Sequence, residues 1–444
     1  MQRRTTIIIA KHCGTTKAPL KTQINCRLLP NCHLFSSMSE INFTPLENTK
    51  VFQPIQVGKN LLSNRIFYAP STRTRALNDR TPSDLQLRNY DERTKYAGSL
   101  VVTEATFSFP QAGTMAGVPG IYTPEHTKGW KKIVDKVHEN KSFIAIQLWN
   151  LGRLDSPKDL KEAGLPYLAP SAIYVDENAR EEAEAANNPI RAMTEEEIHN
   201  QIYVEYTTAA KNAIEAGFDY LELHGAHGYL LHQFLEDTSN QRTDKYGGSV
   251  ENRARFVLEL IDHLIPIVGA DKLAIRLSPW VTIKGMPGIH GDTHPLTTYS
   301  YLLHELEKRA KAGNRLAYIS IVEPRVNGST TLEAKDQTGD NGFVEDIWKG
   351  TILKAGNYTY DAPKFNLVIK DVENDRTLVG FSRYYVSNPD LVQRLKDGSP
   401  LKPYDRSLFY RKDDWGYNTY PYEGQTEEEI EAAKNRKPRP IEAA

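Results

Sequence analysis

From about residue 60 onward the chain repeats a two-part pattern. A short run of apolar, β-branched or aromatic residues is followed by a longer stretch whose apolar positions have helical spacing. Eight short runs stand out: Arg65–Thr72, Ser99–Thr106, Phe143–Asn150, Tyr220–His227, Leu273–Trp280, Leu316–Arg325, Thr351–Asn357 and Thr377–Ser387. Each opens apolar and closes on polar residues, as a parallel strand does when its C-terminal end opens onto a site. Helix signals fill the gaps. Thr81 with Pro82 and Thr123 with Pro124 pair a capping residue with proline at the first helical position. Thr194 and Glu197 spell a capping box, and the helix behind it places Ile198, Ile202, Ala209 and Ala213 on one side before Gly217 ends it. Ser249 caps a helix to about Val268, a helix fits Thr298–Lys311, and Asn388-Pro389 begins one through Lys396.

Eight strand–helix units predict a single α/β domain, a (β/α)8 TIM barrel over residues 38–425. A doubly wound sheet is the runner-up, but no GxGxxG fingerprint or phosphate-binding P-loop occurs. Val51–Asn64 reads as a β-hairpin that closes the barrel bottom. Residues 151–193, after the third strand, are long, acidic and broken by prolines, which predicts an inserted lid over the top face. Residues 426–444 are charged and read as a mobile tail.

Residues 1–37 differ from the rest. They carry Arg3, Arg4, Lys11, Lys17, Lys21 and Arg27, and no acid. Two readings stand: a mitochondrial transit-type leader, or an extension ahead of a true start at Met38 that leaves a cytoplasmic protein. The three cysteines, Cys13, Cys26 and Cys32, all fall in this segment. The body therefore has no cysteine for a disulfide, a nucleophile or an iron–sulfur cluster. With 55 basic against 56 acidic residues the net charge is −1, which argues against a nucleic-acid partner. No apolar run approaches the ~20 residues that cross a bilayer.

Three clusters could carry chemistry. His224 and His227, with Tyr229, end the fourth strand. They read as two imidazoles on a substrate oxygen with a phenol as acid, as a metal pair, or as polar groups of the strand end. Gly356-Asn357 ends the seventh strand and Gly380-Phe-Ser382-Arg383 lies in the eighth, where barrels often bind phosphate. Thr72, Gln147, Trp149 and Arg276 are polar or amphipathic groups on apolar strand ends; a buried Arg276 calls for an anion or an electron-rich ligand, unless it and Gln147 satisfy each other. On the barrel these clusters share one face.

The residues Asn240-Gln-Arg-Thr-Asp-Lys-Tyr-Gly-Gly-Ser249, followed by Glu251-Asn-Arg-Ala-Arg255, resemble the signature of the old yellow enzymes, FMN-dependent ene-reductases, and among them the yeast members. The resemblance runs from about Val51 to Tyr420. It includes Ala69-Pro-Ser-Thr-Arg73, Gln147-Leu-Trp149, Arg276-Leu-Ser-Pro279, Val322-Glu-Pro-Arg325, Ala355-Gly-Asn357 and Ser387-Asn-Pro-Asp-Leu391.

It implies non-covalent FMN and NADPH as hydride donor. Pro70, Ser71, Thr72 and Ala105 would lie along the flavin, with Gln147 and Arg276 on its pyrimidine edge. Gly356, Asn357, Ser382 and Arg383 would take the phosphate. His224 and His227 would hold the carbonyl of an activated alkene, and Tyr229 would protonate its α-carbon. Trp149 with Phe409 or Tyr410 would shape the substrate pocket. Ser382 and Ala105 depart from a common glycine, and His227 stands where some members have Asn; with two histidines and no third ligand the metal reading recedes. The resemblance also admits phenols or steroids as ligands of a flavoprotein with little turnover, and a homodimer. Longer family types with an iron–sulfur cluster do not fit a cysteine-free body.

Overall fold

The computed structural model describes residues 43–421 and 424–442; the leader lies outside them. Eight parallel strands close into a barrel: β1 Ile66–Tyr68, β2 Leu100–Phe107, β3 Phe143–Trp149, β4 Tyr220–Gly225, β5 Leu273–Leu277, β6 Tyr318–Val322, β7 Ile352–Ala355 and β8 Thr377–Phe381. Each is followed by a helix: α1 Asp84–Arg93, α2 Pro124–Glu139, α3 Tyr206–Ala216, α4 Val250–Val268, α5 Pro295–Lys311, α6 Gly342–Ile347, α7 Asn366–Asp371 and α8 Leu391–Asp397. Neighbours in the barrel follow chain order, and β8 closes onto β1. This is the (β/α)8 arrangement that the alternating pattern predicts.

Period-two alternation divides the core into two layers. Phe67, Val102, Ala145, Tyr220, Ala274, Tyr318, Leu353 and Leu378 point into the barrel. Their strand neighbours, such as Ile144, Ile146, Leu221, Leu223, Ile275 and Ile319, pack under the helices. The hairpin of Ile55–Val57 and Asn60–Leu62 is antiparallel. It adds Ile55, Val57 and Leu62 to the interior cluster, and the Tyr220 hydroxyl at the start of β4 donates to Val57 O at 2.8 Å. The bottom of the barrel is thus sealed, and chemistry is confined to the other end.

Local details differ from the sequence reading where a better partner exists. Helix α1 is capped by Ser83 rather than Thr81, because Ser83 and Gln86 satisfy each other's backbone N–H groups in a capping box. Helix α5 starts earlier than Thr298, with Pro295 at its first position. Helix α8 starts at Leu391, since Asn388 is engaged elsewhere: its Oδ1 accepts from Lys402 N–H at 2.8 Å. The helix behind Thr194 is interrupted by a π turn at Gln201–Glu205 and ends on Gly217, which takes φ +91° as a left-handed cap.

Two additions also take a different form. The insertion after β3 has its own small core of Leu160, Tyr167, Ala169, Ala183 and Ile190. None of residues 157–193 lines the cavity at the top of the barrel. Arg153 ties the insertion to a neighbouring loop by donating to Gly285 O at 3.0 Å. The tail, expected to be mobile, is packed. Residues Glu427–Ala433 form a helix capped by Thr426 and Glu429, with Ala433 buried. Arg436 O accepts from Asp414 N–H, and Arg439 O from Asp84 N–H, each at 2.9 Å. Charged side chains indicate solvated side chains; they do not exclude a paired backbone.

Candidate active site

Strand parity decides which side chains reach the open end. Continuing inward from Ala145, Tyr220 and Ala274 brings Gln147 and Trp149, Glu222 and His224, and Arg276 to the top. A bulge between Val102 and Ala105 shifts β2 by one position. Ala105 therefore faces the cavity, and Glu104 turns away to accept from Gln86 Nε2 at 2.7 Å.

All the residues singled out above line one cavity of about 780 Å³ at the C-terminal strand ends. Pro70, Ser71 and Thr72 come from the segment after β1. Ala105, Gln147, Trp149 and Arg276 come from β2, β3 and β5, and His224, His227 and Tyr229 from the end of β4 and its turn. Gly356 and Asn357 follow β7, Ser382 and Arg383 follow β8, and Phe409 and Tyr410 come from a C-terminal segment. In the closed barrel β4 and β8 are four strands apart, so the imidazoles and Arg383 face each other across the cavity.

At the β4 side the geometry is tight. Burial holds both imidazoles well below the usual histidine range; for His224 the neighbouring His227 and Arg276 add to this, and for His227 Arg276 and Lys284 do. Both rings are neutral at pH 7, so each has one N–H to donate. Ala226 N–H approaches His224 Nδ1 at 3.4 Å, which assigns the ring proton to Nε2. His227 takes φ +55°, and its N–H donates to Ser278 Oγ at 2.8 Å. The Tyr229 ring stands edge-on to Trp149 and His224, with centroids 4.8 and 5.0 Å away. Trp149 is itself stacked on Phe107 at 5.1 Å. Burial pushes the Tyr229 phenol above its usual range, so it keeps its proton.

The cavity floor is polar. Gln147 Nε2 donates to Glu222 Oε1 at 2.7 Å. Arg276 is buried, and its Nε has no protein partner. Burial raises the Glu222 carboxyl, and Arg276 opposes that most. On the β8 side a Cβ on Gly356 would lie 2.7 Å from Glu323 Cβ, so only glycine fits there. Asn357 is fixed by donating to Thr331 Oγ1 at 3.0 Å. The Ser382 and Ser71 hydroxyls are 2.6 Å apart. Arg383 donates to the Tyr404 hydroxyl at 3.0 Å.

Several residues in or beneath the cavity escaped the sequence reading. Glu222 carries the same signal as Gln147, a polar group at an inward position of an apolar strand. Lys284, Arg406 and Lys412 sit on loops with no periodicity. With Arg276 and Arg383 they make five cations, and no lining residue is acidic. Lys284 Nζ donates to the Tyr229 hydroxyl at 2.5 Å. Arg73 and Arg75 hold the C-terminal segment: Arg73 Nε donates to Phe409 O at 3.0 Å, and Arg75 Nε to Asp413 O at 2.9 Å. Among the described residues, no three His, Cys, Asp or Glu side chains gather as a metal ion would need.

The chain that builds this cavity is similar to known proteins. Residues 50–402 match the NADH:flavin oxidoreductase / NADH oxidase family. A probable NADPH dehydrogenase of Candida albicans is 55% identical over 382 residues, covering 86% of this chain and 93% of the relative. Enoate reductase 1 of Kluyveromyces lactis is 43% identical over 391 residues, covering 86% and 97%. The crystal structure of Old Yellow Enzyme from Pichia sp. AKU4542 superposes with a TM-score of 0.84 at 48% identity, covering 90% of this chain and 100% of that one. The chain belongs to the NADH:flavin oxidoreductase family, as an old yellow enzyme of the yeast type.

Proposed function

We propose that the protein is an FMN-dependent NADPH dehydrogenase that reduces the C=C bond of α,β-unsaturated carbonyl compounds. The carrying observation is the convergence of two neutral imidazoles and an undissociated phenol at one end of a cavity whose opposite end holds Arg383.

The residues fit FMN. Arg276 has a buried, unpartnered N–H that suits the electron-rich pyrimidine edge, beside the Gln147 amide. Gly356, Asn357, Ser382 and Arg383 suit the phosphate, and Pro70, Ser71, Thr72 and Ala105 line the wall between. The cation-rich, acid-free lining suits an anionic dinucleotide as the electron source. FMN, when bound, takes a hydride from NADPH and delivers one to the β-carbon of the alkene.

The chain's own residues do the rest. His224 and His227 donate to the carbonyl oxygen, and these bonds strengthen as negative charge gathers there. Neutral donors suit this role because they bind without themselves titrating near pH 7. Tyr229 gives its hydroxyl proton to the α-carbon. Trp149, Phe409 and Tyr410 wall the pocket and exclude water from the reacting carbon.

The test is spectroscopic. The purified protein is expected to be yellow, to bleach when NADPH is added without oxygen, and to regain its absorbance on addition of cyclohexenone. A flavin that bleaches but is not reoxidised would favour a phenol- or steroid-binding flavoprotein. A colourless protein that FMN does not reconstitute would overturn the assignment.

A further inference from the structure

Tyr229 presents a difficulty as an acid. Burial raises its phenol above the usual range, which makes it reluctant to give up a proton. The structure supplies a compensating group on a different element. Lys284 lies in the loop after β5, where it takes φ +57° and Gly285 takes φ +70°. Two left-handed residues in succession make a tight reversal. The reversal swings the lysine back over the turn that follows β4. Gly228 leaves room for its stem: a Cβ there would crowd Lys284 Cβ at 3.1 Å. The ammonium donates to the Tyr229 hydroxyl at 2.5 Å and lies 3.9 Å from the ring centroid.

We infer that Lys284 is a positioning and proton-supply residue for Tyr229. The inference rests on the reading of Tyr229 as the proton donor. The direction of the hydrogen bond matters. Because the ammonium donates to the phenol oxygen, the phenol's own proton is free to point at the substrate. When the Tyr229 O–H bond breaks and the α-carbon C–H bond forms, the phenolate is left facing a cation. One N–H bond of the ammonium then breaks as the phenol O–H bond re-forms. Lys284 is partly exposed at the cavity mouth, so the resulting amine recovers its proton from solvent water. No electrons move in this relay, and each proton given to product is replaced by one from water.

The surroundings allow the lysine to act this way. The groups around it are Tyr229, His224 and His227 from β4 and its turn, Arg276 on β5, Tyr410 on the C-terminal segment, and Arg153, whose guanidinium reaches Lys284 O at 3.4 Å. None is acidic, so no carboxylate competes for the ammonium. Burial pulls Lys284 down to about 8, which brings its proton within reach of neutral solvent.

The experiment uses the FMN-loaded protein, reduced beforehand with one equivalent of NADPH and mixed anaerobically with cyclohexenone between pH 6 and 9.5. In the wild type the reoxidation rate is expected to fall about tenfold as pH rises through a midpoint at or above about 8. Lys284→Met should give the slow rate at every pH in this pre-reduced protein, whatever the loss of a lining cation does to its reduction by NADPH. Lys284→Arg should restore most of the rate and flatten the fall. A second readout needs no turnover. In protein carrying ¹³Cζ-tyrosine, the resonance lost in Tyr229→Phe should shift over the same pH range in wild type and stay fixed in Lys284→Met. Combining Lys284→Met with Tyr229→Phe should slow reoxidation no further than Tyr229→Phe alone. A Lys284→Met protein that keeps the wild-type rate and pH profile while Tyr229→Phe is slow overturns the relay alone. Full-rate reoxidation by Tyr229→Phe overturns the proton-donor reading and the relay with it.

Discussion

Gln147 Nε2 donates to Glu222 Oε1 at 2.7 Å, beneath the cavity floor. The bond settles which way the amide faces. With its nitrogen donating to Glu222, the amide leaves its oxygen for whatever lies above. Glu222 also balances Arg276, whose charge has no ion-pair partner among the described residues. Glu222→Leu keeps the volume but removes both functions. It should weaken FMN binding by about tenfold, while Glu222→Gln, which can still accept from Gln147, should lose less. Titration of the FMN-free protein, followed by flavin fluorescence, measures this. An Glu222→Leu protein that binds FMN as tightly as wild type would show that the amide needs no anchor.

On the proposed mechanism Tyr229 and the two histidines act on the alkene and not on the dinucleotide's hydride. Tyr229→Phe should therefore slow reoxidation by an enone at least ~100-fold and leave bleaching by NADPH nearly unchanged. His224→Asn should instead weaken binding of both enones and phenols, because it removes one of the two N–H donors proposed for the ligand oxygen. Rapid-mixing absorbance separates the half-reactions, and the flavin's spectral change on adding a para-substituted phenol gives the affinity. Equal loss in both half-reactions for Tyr229→Phe would argue for a structural role.

Burial of His224 and His227 has a consequence for stability. Their folded-state values lie below the ordinary histidine value. Below about pH 6.5 the unfolded chain binds protons that the folded chain does not. Stability from this source is complete above about 6.5 and falls as pH is lowered. The slope is at most roughly 1.4 kcal/mol per pH unit for each histidine. Thermal unfolding of the FMN-free protein should therefore move down by several degrees between pH 7 and 5. The His224→Asn, His227→Asn double variant should move less. An identical slope would mean that other groups control acid sensitivity.

Much of this architecture is legible along the chain, for identifiable reasons. The eight strands declare themselves because a barrel strand is apolar on both faces and turns polar only at its open end. Gln147, Arg276 and His224 are legible for the same reason. Glu222 obeys that rule too, at an inward position two residues before His224. Lys284 is not legible at all. Its role depends on two left-handed residues and on the space left by Gly228, and neither leaves a periodic trace. Nor could the sequence reveal why Phe409 and Tyr410 reach the site. The residues that hold them, Arg73 and Arg75, are more than three hundred positions away. The packed tail was missed because its composition describes side chains and its order comes from backbone pairing.

That remote tether makes a last prediction. Arg75 is fully buried, and its guanidinium donates to Asp413 O at 2.9 Å, to Leu408 O at 3.1 Å and to Trp415 O at 3.2 Å, as well as to Phe409 O. Arg73 stacks on the Phe409 ring at 4.6 Å. The two side chains convert an irregular segment into a fixed wall, since it has no sheet partner to satisfy those carbonyls. Arg75→Met should cost about 3 kcal/mol or more, because several buried carbonyls lose their donor together. The residues proposed to hold FMN lie on the barrel strands and the segments just after them, so FMN binding should persist. Enone KM should rise, because Phe409 is no longer held and Tyr410, already 56% exposed, loses its neighbour. Truncation after Gln425 should do less, because it removes the backbone pairing of Arg436 and Arg439 but leaves Arg75 in place. Thermal unfolding of the two variants, with enone kinetics alongside, separates these effects. If truncation raised KM as much as Arg75→Met does, the wall would be held by the tail and not by the arginines.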